Sequence, residues 1–349
     1  MLANQLHKAF KLNNEEFSNH SLLEKAANLA SKGNNFDAEL GVFLIDWLGG
    51  SQSLKVKTSG STGRPKTIVL QKEAMKASAL ATAHYFNLKP QQTALLCLPV
   101  SYIAGKMMLV RAMVLGLEID TILPKIALDL PEKAYDFVAM IPSQVEKNRH
   151  QLHQIKTLII GGGKVSHSLK MSLKEFKTKV FETYGMTETI THIAIKPVNG
   201  KTKNAHFNIL PNVNIRQDKR NCLVIDAPQL NSETIITNDV VNLISATEFQ
   251  WLGRADNVIN SGGLKLFPEQ IEAKLEPYIK QRYFISSQLN LTYGEEVILV
   301  LEANENPINE HTFQALNKTE LPKQVFIIPN FIETTSGKIH RTKTLKCLK

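Results

Sequence analysis

Short apolar runs alternate with helical segments from residue 93 to residue 178, and this alternation limits the fold more than any other feature. Thr93–Leu98, Phe137–Ile141 and Thr157–Ile160 are four to six residues long, the length of strands, and mostly apolar. Lys106–Leu117, Ser143–His150 and Ser168–Thr178 read as helices between or after them. Strand and helix in repetition predict parallel βαβ units and a layered α/β domain. Upstream, an alanine-rich helix is predicted over Lys72–Phe86, with Met75, Ala79 and Ala83 as apolar positions. Two short strands flank a glycine-rich turn within 54–70, and residues 1–50 read as helices and loops.

From about Asn204 to Phe249 the text changes to β-rich runs such as Cys222–Ile225 and Glu233–Ile236. After Gly253-Arg254-Ala255-Asp256 it starts again. A helix opens at Pro268 with Glu269 beside it. Strands over Arg282–Ser286 and Glu296–Leu301, a helix near Thr312–Asn317 and a strand over Gln324–Ile328 follow. Single cores stop growing at about 250–300 residues, so a chain of 349 residues is expected to divide. The predicted division is a large α/β domain over 1–253, a hinge at 254–257 and a small mobile α+β domain over 258–349.

Lys and Arg number 41 against 32 Asp and Glu, a net charge of +9. The excess is scattered; its densest block is Lys338, Arg341, Lys343, Lys346 and Lys349 against Glu333. Without zinc-finger spacing or an aromatic-rich RNA-binding signature, nucleic acid is not an expected partner. Attraction of small polyanions is. The best apolar run, Met107–Leu117, is broken by Arg111 and falls short of the roughly 20 residues a membrane span needs. The first residues lack the apolar core of a signal peptide. Cys97, Cys222 and Cys347 suit neither a disulfide framework nor a zinc site. A reduced, cytoplasmic protein without a membrane partner is expected.

One run of nine residues carries the first chemistry: Thr58-Ser59-Gly60-Ser61-Thr62-Gly63-Arg64-Pro65-Lys66. Glycines let backbone N–H groups approach a phosphate, and the hydroxyls, Arg and Lys add donors. It is not a Walker loop. Pro65 stands where the second glycine would fall, and Thr67–Leu70 reads as a strand rather than a helix. Gly161-Gly162-Gly163 is likewise no dinucleotide fingerprint, because Ser166 occupies the third glycine position.

The nine-residue run resembles the phosphate loop of the adenylate-forming superfamily, which holds the acyl-CoA synthetases, luciferases and peptide-synthetase adenylation domains. Further motifs resembling that superfamily come in order. They are Tyr184-Gly185-Met186-Thr187-Glu188-Thr189, then Trp251-Leu252-Gly253-Arg254-Ala255-Asp256 with Ser261-Gly262-Gly263, then Thr335-Ser336-Gly337-Lys338-Ile339. Together they cover 54–345. The resemblance implies a shortened acyl-adenylate synthetase fold and a two-step reaction. A carboxylic acid and ATP would give acyl-AMP and pyrophosphate, and coenzyme A would then take the acyl group. ATP, Mg²⁺ and coenzyme A are the implied cofactors and co-substrates.

Roles come from the same resemblance. Thr58, Ser59, Gly60, Ser61, Thr62, Gly63 and Lys66 would cradle phosphates. Gly161, Gly162 and Gly163 would line adenine, and Tyr184 and Gly185 would join the ATP site. Asp239 and Arg254 would grip the ribose, the carboxylate accepting from both hydroxyls and the guanidinium adding a fixed fork. Asn238 stands where the superfamily usually has glycine. Glu188 offers a hard carboxylate to the Mg²⁺ on the phosphates, and Thr187 a donor to the α-phosphate. Lys338 would stabilise charge on the transferred group. Asp256 is the implied hinge, exchanging Lys338 for the loop of Gly262, Gly263 and Lys265 beside the pantetheine channel. Glu269 and Glu272 read as structural acids at a helix start.

The short stretch before residue 58 and the Tyr184–Thr189 motif are most similar to compact o-succinylbenzoate–CoA ligases of menaquinone biosynthesis. Tyr102 replaces a His common in the superfamily. Tyr102, Thr189, Thr191 and His192 are the expected acyl contacts, with Lys106 or Arg111 as the cation an anionic dicarboxylate needs. The alternatives are another aryl or short-chain acid, a carrier-protein thiol as acceptor, or a nucleotide sensor without catalysis. The shortened start also predicts an apolar face that a second subunit would cover, making a homo-oligomer.

Overall fold

The computed structural model describes residues 5–57, 67–200, 206–333 and 339–348. The phosphate-loop run from Thr58 to Lys66 and the residue Lys338 lie outside the described residues.

The predicted parallel strands form the centre of a 13-stranded sheet. With two strands the sequence did not announce, Glu118–Thr121 and Lys179–Gly185, the spatial order is Glu118–Thr121, Thr93–Leu96, Tyr135–Met140, Ile155–Ile160 and Lys179–Gly185, paired parallel throughout. Their apolar runs are explained by burial on both faces. Leu95, Val138, Met140, Leu158 and Ile160 enter one core. The alternate residues Leu96, Phe137, Ala139 and Ile159 enter a larger one with Trp47, Met75 and Met108. Antiparallel strands extend the sheet beyond Lys179–Gly185: His192–Pro197, Phe207–Ile209, Glu248–Arg254, Ile235–Ser245, Cys222–Asp226 and Asn214–Gln217. Apart from His192–Pro197, these lie in or run on from the β-rich stretch expected from Asn204 to Phe249.

The helix Lys72–Phe86 has the predicted bounds. The next, Ile103–Leu115, starts three residues before the predicted Lys106. Gly105 allows it, since a Cβ there would lie 2.2 Å from the Pro99 carbonyl oxygen. The helix expected over Ser168–Thr178 ends at Leu173. The Asn199 amide donates to the carbonyls of Leu173, Phe176 and Thr178 at 3.1, 3.2 and 2.8 Å, so the chain turns early into its strand. The helix expected near Thr312–Asn317 is a single 3₁₀ turn, Glu310–Phe313. Asn34 caps Asn35–Leu48, its side chain accepting from the N–H groups of Phe36 and Asp37.

The smaller α+β region has its own five-stranded sheet. Leu264–Leu266, Ile259–Ser261, Gly294–Glu302 and Tyr283–Asn290 are antiparallel neighbours, and Gln324–Ile328 joins Gly294–Glu302 in parallel. Pro268–Leu275 covers it, with Ile271 and Leu275 against Ile285, Leu299 and Leu301. Glu272 on this helix accepts from Arg341 at 2.8 Å and from the Ile285 N–H at 2.9 Å. Among the described residues no helix is long and apolar enough to cross a membrane.

Gly105→Ala drives a methyl group into a packed carbonyl. It is expected to cost about 1–3 kcal/mol, read as a lower thermal midpoint with an unchanged circular dichroism spectrum.

Candidate active site

The carboxyl ends of parallel strands are where open α/β sheets place ligands, and two of the sequence motifs sit there. Gly161 follows Ile160, its N–H donating to the Met140 carbonyl at 3.2 Å. Thr183 donates to the Ile160 carbonyl at 3.0 Å, which ties this loop to the strand ending in Tyr184-Gly185. Gly162 and Gly163 are exposed. Beyond Gly185 the chain makes a 3₁₀ turn, Thr187–Thr189. Thr189 is buried; its hydroxyl accepts from the Met186 N–H at 3.0 Å and donates to the Thr191 carbonyl at 2.7 Å. Thr189 thus closes the turn. Ile190, buried with φ +66°, holds a conformation that costs a β-branched residue about 1–3 kcal/mol. The turn leaves Glu188 exposed and Thr187 half-buried.

A second group gathers on the antiparallel strands. Asp239 on Ile235–Ser245 stands opposite Arg254 on Glu248–Arg254. It is buried, and it accepts from Tyr184 Oη at 2.6 Å and from Trp251 Nε1 at 3.2 Å, with Arg254 Nη1 at 3.6 Å. Burial, then Asp239, pushes the Tyr184 hydroxyl well above its ordinary pKa, so it stays a donor. Arg254 also donates to Asp256 at 3.0 Å. Asn238 donates to Asp256 at 3.3 Å and accepts from Arg220 at 2.9 Å. Tyr184, Asp239, Arg254 and Asp256 therefore form one network, although they lie far apart in sequence.

A third group is buried. Arg111, 2% exposed, donates from Nε to Thr82 Oγ1 at 3.2 Å and from Nη2 to Thr191 Oγ1 at 3.3 Å. The same two hydroxyls lie 3.3 Å from Nε2 and Nδ1 of His192. Among the described residues no carboxylate pairs with Arg111. Burial pulls its guanidinium down to about 9. Burial, then Arg111, holds His192 well below the ordinary histidine range, so the imidazole is neutral. Sequence reasoning missed Thr82, whose only signal was a hydroxyl seven positions after Met75 on an apolar stripe. Lys106 lies elsewhere, 4.9 Å over the Phe43 ring. Tyr102 is exposed at the start of the Arg111 helix.

The small region meets the large one through side chains. Gln270 donates to the Leu252 carbonyl at 2.8 Å, Lys164 to the Glu269 carbonyl at 3.2 Å, and the Ser168 N–H to Glu276 at 3.2 Å. Gly262 and Gly263, with φ +56° and +79°, turn the hairpin of Ile259–Ser261 and Leu264–Leu266, and Lys265 beside them is exposed. Glu333 bridges Ile339 on either side of the motif that holds Lys338. Among the described residues no three His, Cys, Asp or Glu side chains gather as metal ligands.

Comparison with known proteins agrees with this layout. The family model for AMP-binding enzymes matches residues 57–219. An acyl-CoA synthetase (AMP-forming)/AMP-acid ligase II-like protein from Dyadobacter fermentans is 34% identical, with a TM-score of 0.62 over 90% of this chain and 95% of that one. The 2-succinylbenzoate–CoA ligase of Listeria monocytogenes is 24% identical over 320 residues, 82% of this chain and 68% of that protein. The fold is also like that of the Bacillus subtilis o-succinylbenzoate coenzyme A synthetase solved with ATP and magnesium. That likeness has a TM-score of 0.71 at 16% identity, over 94% of this chain and 82% of that one. The chain belongs to the AMP-binding, adenylate-forming enzyme family.

His192 gives the site a pH signature. The unfolded imidazole takes a proton below about pH 6.5 that the buried one refuses. Stability is therefore full above that pH and declines as pH falls, by up to ~1.4 kcal/mol per unit. Denaturant unfolding at pH 5 and pH 7 should show the decline, and His192→Gln should flatten it.

Proposed function

We propose that the chain is an ATP-dependent acid–CoA ligase whose acid carries a second carboxylate, with 2-succinylbenzoate as the substrate. The observation that carries this reading is Arg111, a buried guanidinium whose partners among the described residues are all neutral. A charge out of water without a counterion is costly. A carboxylate about 4 Å away would gain roughly 4 kcal/mol at an effective dielectric of about 20. Thr82, Thr191 and His192 supply further polar contacts, next to the turn that bears Thr187 and Glu188. Relatives named 2-succinylbenzoate–CoA ligases support the same substrate.

In the first step an oxygen of the reacting carboxylate attacks the α-phosphorus of MgATP. The bond from phosphorus to the bridging oxygen breaks and pyrophosphate leaves. In the second, the coenzyme A sulfur, having lost its proton, attacks the acyl carbon and AMP departs. Asp239 and Arg254 hold the ribose, Gly161, Gly162, Gly163 and Tyr184 the base, and Glu188 would hold the Mg²⁺ that the nucleotide brings. Thr187 donates to the α-phosphate, and the Thr58–Lys66 run and Lys338 bear the phosphate charge. Turning about Asp256 brings Gly262, Gly263 and Lys265 to the thiol.

One variant tests this reading. Arg111→Met should raise the KM for 2-succinylbenzoate about 100-fold while leaving the thermal midpoint equal or higher, because a buried lone charge is gone. An unchanged KM would rule out this anion pocket.

A further inference from the structure

The strand Glu248–Arg254 does not run evenly along its neighbour. Asp239 pairs with Arg254 and Val240 with Gly253, but Val241 pairs with Trp251, so Leu252 is an extra residue. In an unbroken ladder Leu252 would stand opposite Val241 and Trp251 would face the other side of the sheet, because side chains alternate. A bulge re-aims the side chains next to it. Here it brings Trp251 onto the face of Asp239, and the indole N–H reaches the carboxylate at 3.2 Å. The bulge is held from outside. The Gln270 amide donates to the carbonyls of Trp251 and Leu252, at 3.3 and 2.8 Å.

Asp239 is 8% exposed, so the direction of its lone pairs is set by its neighbours. Tyr184 occupies one oxygen at 2.6 Å. Indole is a donor and nothing else, so it can only pin the other oxygen. We propose that Trp251 is a positioning residue of the nucleotide site. Its N–H turns the Asp239 carboxylate so that the remaining lone pairs meet a ribose diol, and this sets the preference for ribonucleotides over deoxyribonucleotides. The inference rests on the reading of Asp239 as the ribose acceptor.

The test uses acid-dependent pyrophosphate release by the full chain with ATP and with 2′-deoxy-ATP. Trp251→Phe keeps the ring and removes the donor. It should raise the KM for ATP about 10-fold and that for 2′-deoxy-ATP much less, narrowing the discrimination, with a smaller change in kcat. Equal rises for both nucleotides, or none, would overturn the proposal. Asp239→Asn separates the two readings. If this variant discriminates as the wild type does, the ribose assignment has failed. If it loses discrimination while Trp251→Phe keeps it, only the role of Trp251 has failed. A readout free of variant folding uses tryptophan emission in the wild type, with the buried Trp47 as constant background. AMP should shift the emission and 2′,3′-dideoxy-AMP should not; identical responses would contradict the proposal.

Discussion

Arg111 is the buried charge around which its polar surroundings are arranged. The helix Ile103–Leu115 carries it out of water, and among the described residues only Thr82, Thr191 and a Met108 sulfur receive its protons. Those contacts decide much of the local structure. Thr191 must present its hydroxyl, so the turn before it closes through Thr189 and the chain passes through a left-handed Ile190. His192 must stay neutral beside the guanidinium, and its burial ensures this. The fold accepts a cost here that a hydrophobic core would avoid, and such costs collect at functional sites.

The second fixed point is Asp239, about which the antiparallel half of the sheet closes. Tyr184 from the last parallel strand and Trp251 and Arg254 from the neighbouring strand all converge on it. The Arg254 contact continues to Asp256, where the chain leaves the large sheet for the small one. The Tyr184–Asp239 network and the path between the two regions therefore share one hydrogen-bonded chain. Asn238, which couples Asp256 to Arg220, fills a position where glycine could make no such bond.

Much of the layout was legible because it rests on local pattern. The strands at Thr93, Phe137 and Thr157 announced themselves by apolar runs, and the helix Lys72–Phe86 by composition. Motif order gave the family, since each motif is a chemical requirement at a fixed place in the chain. The features the sequence concealed depend on distant contacts. The early end of the helix at Leu173 comes from Asn199, more than twenty residues on. A bulge at Leu252 has no local signature, so Trp251 looked like part of a motif rather than a partner of Asp239. Lys106 and Arg111 were equal candidates in sequence. Only packing separates them, placing one over Phe43 and the other against Thr191.

The central claim is that a buried guanidinium with no carboxylate partner among the described residues selects an acid with a second carboxylate. The most direct measurement is ATP–pyrophosphate exchange with 2-succinylbenzoate, set beside the same acid with its aromatic carboxylate replaced by hydrogen. The account predicts exchange with the first and a kcat/KM about 100-fold lower with the second. Equal exchange with both acids, or exchange with neither, would contradict it.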